Sequence, residues 1–279
     1  MLLSLLGAAA YGLSDFSGGW LSKRVSAWTI ALTGQLGAAT ATVLVALLVG
    51  GRPGTADLGW ALLAGVGNGL GTAFLYRGLA SGRMGVVAPV SGVGAAVVPV
   101  VAGVLFGERL GLLVWVGIAI ALPAIWLVSR QPSTNPSDGK AEPGSSGLAD
   151  GIVAGVGFGG LFVALSRVSD DAGLLPLALN QVIGATTIVA VAVAFRQPWL
   201  PRERRAALGI VSGLLGALAT GLFMVASRGS HLTVAAVVVS LYPAFTVLLA
   251  AVLLRERVHR TQGLGLAMCA ASVAVVAAG

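Results

Sequence analysis

Apolar residues run along this chain in blocks of about twenty, separated by short stretches of charge, proline and glycine. A helix needs about 20 apolar residues to cross the hydrocarbon core of a bilayer. Cutting the chain at its punctuation predicts ten such helices, near 2–22, 28–50, 57–79, 85–106, 110–129, 149–167, 173–195, 206–227, 232–254 and 260–278. The first block is apolar from Met1 and lacks a basic n-region, so it is expected to be the first span rather than a signal peptide. One polar segment is longer than the rest. QPSTNPSDGKAEPGSSG, at 131–147, is rich in Pro, Gly and Ser and reads as a flexible linker. It divides the spans five and five.

The halves resemble each other. VLFGERL (104–110) and VLLRERV (252–258) end the fourth and ninth spans at an offset of 148 residues. The same offset pairs Thr72 with Thr220, Val86 with Val234, Ala88 with Ala236 and Gly117 with Gly265. An offset of 146 pairs GQLGAAT (34–40) with NQVIGAT (180–186). Because each copy has an odd number of spans, the second must cross the membrane in the opposite sense. Charge agrees with this. The odd-numbered connections carry Lys23, Arg24, Arg77, Arg83, Arg130, Lys140, Arg196, Arg202, Arg204, Arg205, Arg255, Arg257 and Arg260, against Arg52, Arg109, Arg167 and Arg228 on the even-numbered ones. The expected fold is an all-α integral membrane protein of ten transmembrane helices, built as two inverted five-helix repeats (1–130 and 149–279) around a linker (131–148). Such repeats are typical of secondary transporters. The charge bias places the odd connections in the cytoplasm and both termini outside.

Composition supports lipid as the solvent. The chain is 57% hydrophobic and 10% charged, too little charge to cover a soluble domain of 279 residues. The net charge of +7 comes from dispersed basic residues rather than a basic face interleaved with aromatics, so nucleic acid is not an expected partner. The single cysteine, Cys269, cannot form an internal disulfide.

Several motifs carry a family resemblance. Tyr11-Gly12 with Asp15-Phe16, Tyr76-Arg77-Gly78-Leu79-Ala80, Gly107-Glu108-Arg109 and Arg255-Glu256-Arg257 stand at corresponding points of the plan. On these, the chain resembles the drug/metabolite transporter superfamily, as an EamA-type ten-helix transporter. It departs from the family pattern at Tyr11, which replaces a Trp, at Arg255, which replaces a glycine, and in carrying an acid at Asp15. The resemblance implies that spans one, three, four, six, eight and nine line a cavity. It also implies cytoplasmic termini, against the charge bias, so the orientation stays open.

Asp15 is the only one of the ten acids well inside a span. An acid at the bilayer centre costs about 2.5–3.5 kcal/mol on insertion scales, so it is expected to face a cavity or a partner. It is a candidate proton site or contact for a cationic substrate group; the competing role is a structural bond to helix ends or to Arg77. The other candidates are Tyr11, Ser14, Gln35, Asn68, Thr72, Tyr76, Arg77, Asn180, Gln181, Ser240 and Tyr242, which can hold a polar solute or bond helix to helix. Glu108 and Glu256 are expected to anchor helix ends. Pro89, Pro99 and Pro243 interrupt spans four and nine and are hinge candidates. GVGNGLG (65–71) and GVGFGG (155–160) follow no soluble strand, so their glycines are expected to pack helices rather than bind dinucleotides.

The expected activity is export of a small polar metabolite such as an amino acid, with proton antiport as the candidate coupling and alternating access as the mechanism. The alternatives are a flippase for a lipid-linked substrate and a non-transporting scaffold or sensor. No enzyme is expected, since HExxH and GxSxG are absent and His231 and His259 lack metal-ligand partners. No cofactor or metal is expected. The expected surroundings are a bacterial plasma (inner) membrane, with the bilayer, a small solute and protons as partners and a homodimer left open.

Overall fold

The computed structural model describes residues 1–80, 84–129, 147–229, 231–253 and 258–278. Among them all regular structure is helical: α1 (Leu2–Ser22), α2 (Ala27–Val49), α3 (Thr55–Ala80), α4 (Met84–Leu105), α5 (Leu112–Ser129), α6 (Gly147–Ser166), α7 (Leu175–Ala194), α8 (Gly209–Arg228), α9 (Leu232–Val239), α10 (Tyr242–Leu253) and α11 (Arg260–Ala278). Two 3₁₀ turns, Asp170–Ala172 and Arg204–Leu208, lead into α7 and α8. Nine stretches among the described residues are long and apolar enough to cross a membrane, α9 and α10 counting together as one. Helix α1 is not among them, since Tyr11, Ser14, Asp15 and Ser17 dilute its apolar residues. Large apolar side chains stand on the outer surface, where Leu48 is 87% and Leu112 79% exposed. Water would not tolerate that display over a whole bundle; lipid does. The protein is an integral, multi-pass membrane protein.

The expected spans match the helices to within a few residues, with one exception. The ninth is broken after Val239. Pro243 has no N–H to give the Val239 carbonyl, and the chain turns instead through Leu241 N–H to the Val238 carbonyl (3.2 Å) and Ala244 N–H to the Leu241 carbonyl (2.9 Å). Helix α4, by contrast, runs unbroken through Pro89 and Pro99. Proline alone therefore does not decide where a span breaks. The expected linker lies outside the described residues as far as 146, and so does Glu256.

Helix α6 packs against α3 and α4, while α1 packs against α8 and the α9–α10 pair. Helix α7 packs on α3 and α2 on α8; α2 meets α7, and α5 meets α11. Exchanging the halves leaves this set of neighbours unchanged. Glycines set the closest crossings. A Cβ on Gly94 of α4 would lie 2.9 Å from the Gly155 Cα of α6, and one on Gly67 of α3 would lie 2.5 Å from the Gly157 carbonyl. Gly151, Gly155 and Gly159 all face α4, which is the packing role their spacing suggested.

Contacts between connections sort the bundle into two ends. At one end Ser26 Oγ donates to the Pro198 carbonyl (2.7 Å), Thr33 Oγ1 donates to the Ala206 carbonyl (2.8 Å), and Arg77 pairs with Asp150. At the other, Asp57 accepts from Ser169 N–H (2.8 Å) and Ser169 Oγ (2.9 Å), and Arg228 pairs with Asp170 (3.1 Å). There too Glu108, in the connection after α4, accepts from the N–H groups of Leu232 (2.6 Å) and Thr233 (3.2 Å), capping α9. A carboxylate on exposed helix N–H groups also complements the helix dipole. Glu108 is a helix-end anchor.

Candidate functional site

A cavity of about 620 Å³, its mouth included, lies inside the bundle. Helix α1 contributes Tyr11, Ser14 and Asp15; α3 contributes Asn68, Thr72 and Tyr76, one turn apart on a single face. Gln35 of α2, Gln181 of α7 and Tyr242 at the start of α10 complete the polar lining expected from the sequence. Three candidates lie elsewhere. Arg77 is on Asp150 and against the rings of Phe74 (4.4 Å) and Phe195 (5.0 Å), so it does not serve Asp15 as a counter-ion. Asn180 is fully buried behind the lining, its Oδ1 accepting from Asn68 Nδ2 at 3.4 Å. Ser240 is fully buried at the helix break, and its hydroxyl has no partner among the described residues.

The expected set of lining helices also changes. Among the described residues α4 contributes none to this cavity, while α2 and α7 do. The reason is the close α4–α6 crossing at Gly94 and Gly155, which leaves no space between those backbones. Sequence reasoning also missed Phe158 and Phe162 of α6 and Ser212 and Thr220 of α8. Thr220 had a signal, being the repeat mate of Thr72. Ser212 had none, since serines in apolar helices ordinarily bond their own backbone.

The hydrogen-bond pattern fixes who donates. Ser14 Oγ donates to the Ser212 carbonyl (2.9 Å), and Ser212 Oγ donates to the Ser14 carbonyl (3.0 Å), clasping α1 to α8. With its one proton so placed, Ser212 Oγ accepts from the Tyr76 hydroxyl at 2.7 Å. Thr220 Oγ1 likewise donates to the Gly216 carbonyl (2.7 Å), so it accepts from the Tyr11 hydroxyl at 2.7 Å. Gly18 makes room for the bond from Tyr76 to Ser212, because a Cβ there would overlap the Tyr76 hydroxyl. Asn68 Nδ2 donates to Gln181 Oε1 at 3.0 Å. The buried Gln35 Nε2 has no partner among the described residues and lies against Gly184.

Asp15 stands apart from this network. Among the described residues it has no hydrogen bond and no ion pair, although it lies within Coulombic reach of Tyr11, Tyr76 and Tyr242. No Lys, Arg or His among the described residues lines the cavity. Asp15 and Tyr242 also form the shared wall of a second cavity, about 970 Å³ with its mouth, which runs between α1, α10 and α11 to Lys23, Val258 and Gln262. Among the described residues there is no cluster of His, Cys, Asp and Glu able to hold a metal.

Comparison with known proteins supplies the class. The model of the EamA-like transporter family matches residues 1–130 and 145–278. The chain belongs to that family, and the resemblance read from its motifs is confirmed. No curated protein matches it. A solved structure, titled only as a crystal structure of a protein, is similar over 98% of this chain and 94% of its own, with a TM-score of 0.71 and 15% identity. At that identity the likeness concerns the fold alone.

Proposed function

We propose that this protein is a secondary transporter that moves a small polar solute out of the cell by alternating access, with Asp15 as the group that binds the solute or its coupling proton. The observation that carries this reading is a carboxylate with no partner among the described residues, facing a cavity walled by both halves of the chain. A charge withdrawn from water is costly unless something answers it. Protons and cationic groups are what answer a carboxylate. Amino acids are the solutes first suggested by the neutral polar lining.

Ten spans in two inverted repeats, 1–130 and 149–279, are the architecture this mechanism uses. The exchange symmetry of the helix contacts supports it. So do the bundle ends, where the connection after α1 meets the one after α7 and the connection after α2 meets the one after α6. In that architecture equivalent connections of the two halves emerge at opposite ends. The Lys23 end carries the cationic excess, which makes it cytoplasmic by the positive-inside rule and turns the second cavity toward the cell interior. A bacterial inner membrane is the setting this orientation suits.

The test is flux. Purified protein in liposomes holding a pH-sensitive dye is given an imposed pH gradient and a panel of amino acids, amines and neutral metabolites, beside Asp15→Asn. Solute-dependent proton movement in the wild type, lost in Asp15→Asn, is the expected result. Absence of flux for every solute would remove the transport reading.

A further inference from the structure

We propose that the junction of the two cavities binds an organic cation, its ammonium group at Asp15 and its apolar body in the second cavity. The inference rests on the transport reading for its purpose and goes further in naming the ligand chemistry.

Charge is the first argument. Among the described residues Asp15 is the only carboxylate in the lining of the central cavity, which holds no Lys, Arg or His, and in the second cavity Lys23 stands at the far end, about 12 Å away along α1. A bound carboxylate would therefore meet Asp15 and find no cation beside it.

Donor accounting is the second argument. The phenolic protons of Tyr11 and Tyr76 are already given to Thr220 and Ser212, and the free amide nitrogen of Gln35 is turned toward Gly184. That leaves the buried Tyr242 hydroxyl, which has no partner among the described residues, as the one phenolic proton in the lining not already given. The lining is thus poor in donors for an anion.

Aromatic faces are the third. Tyr11 lies 6.0 Å from Phe162 and 6.1 Å from Tyr242, ring centre to ring centre, and all three rings border the space beside Asp15. Ring faces attract cations through their quadrupoles, most strongly where water is scarce. The second cavity then offers Phe16, Trp20, Leu79 and Val247 to an apolar body attached to the ammonium.

The decisive pair of probes is phenethylamine and phenylalanine, which share a ring and an amine and differ by one carboxylate. Binding to the full-length protein in nanodiscs is followed by calorimetry, with flux of the same compounds measured in liposomes. Phenethylamine is expected to bind at least about tenfold more tightly than phenylalanine, since burying an unpaired charge next to a like charge is heavily disfavoured. Asp15→Asn should weaken phenethylamine by at least about tenfold, as loss of one member of a buried charge pair does. Asp15→Glu should retain most of the affinity, and equal thermal unfolding of both variants shows that folding is not the cause. Equal or tighter binding of phenylalanine, undiminished binding to Asp15→Asn, or no binding of either probe overturns the cation site. Flux of neutral solutes without amine binding would sink the cation site and leave transport standing. Amine binding without any flux would do the reverse.

Discussion

Helices α1 and α6 open the two halves of the chain, yet they face the same cavity with opposite chemistry. Helix α1 presents Tyr11, Ser14 and Asp15; α6 presents Phe158 and Phe162. Their packing duties are alike, since each lies against the third and fourth spans of the other half. Their overall apolarity differs, and α1 alone among the long described helices is too polar to count as a span by composition. What packs a helix into the bundle and what it shows the cavity are separable. The glycine face of α6 is held by backbone contact with α4, so its cavity face could be aromatic. The Ser14–Ser212 clasp holds α1, so its cavity face could carry a charge that contributes no bond to the fold.

The contrast can be broken most sharply at Asp15. Asp15→Asn should abolish coupled flux in the liposome assay while leaving the unfolding temperature equal to or above that of the wild type, because it removes an unpaired charge rather than a bond. A large loss of stability would instead make Asp15 structural. On the aromatic wall the expectation is reversed. Phe162 is 2% exposed and lies 4.5 Å from the ring of Phe223, so Phe162→Ala should cost about 3–5 kcal/mol, read as a lowered unfolding midpoint in detergent. An unchanged midpoint would show that the wall is mere lining.

A smaller effect is expected at the bundle end. Glu108→Ala removes the cap on α9 and should cost about 0.5–2 kcal/mol, with faster hydrogen exchange confined to residues 232–235. The smallest belongs to Tyr11→Phe. It deletes the bond to Thr220 and should cost about 1 kcal/mol, with flux retained if the ring rather than the hydroxyl serves the solute.

Much of this was legible in advance. The spans were readable because the hydrocarbon core demands runs of apolar residues whatever their neighbours are. Asp15 was legible for the same reason, as an acid that lipid would not accept. Arg77 was misread because its position near a span end says nothing about which of several acids it meets; folding brings Asp150 to it. The break at Ser240 and Leu241 was not predictable from Pro243 alone, since Pro89 and Pro99 leave α4 whole.

The sequence by itself determined a bundle of membrane helices in two similar halves and singled out one carboxylate, because solvation by lipid acts on each segment independently. Only the tertiary structure decided that α2 and α7 line the central cavity while α4 does not, that Phe158, Phe162, Ser212 and Thr220 join the lining, and that Asp15 has no partner among the described residues. Those outcomes depend on which helix faces meet and how closely glycines let them approach, and such contacts join residues one to two hundred positions apart.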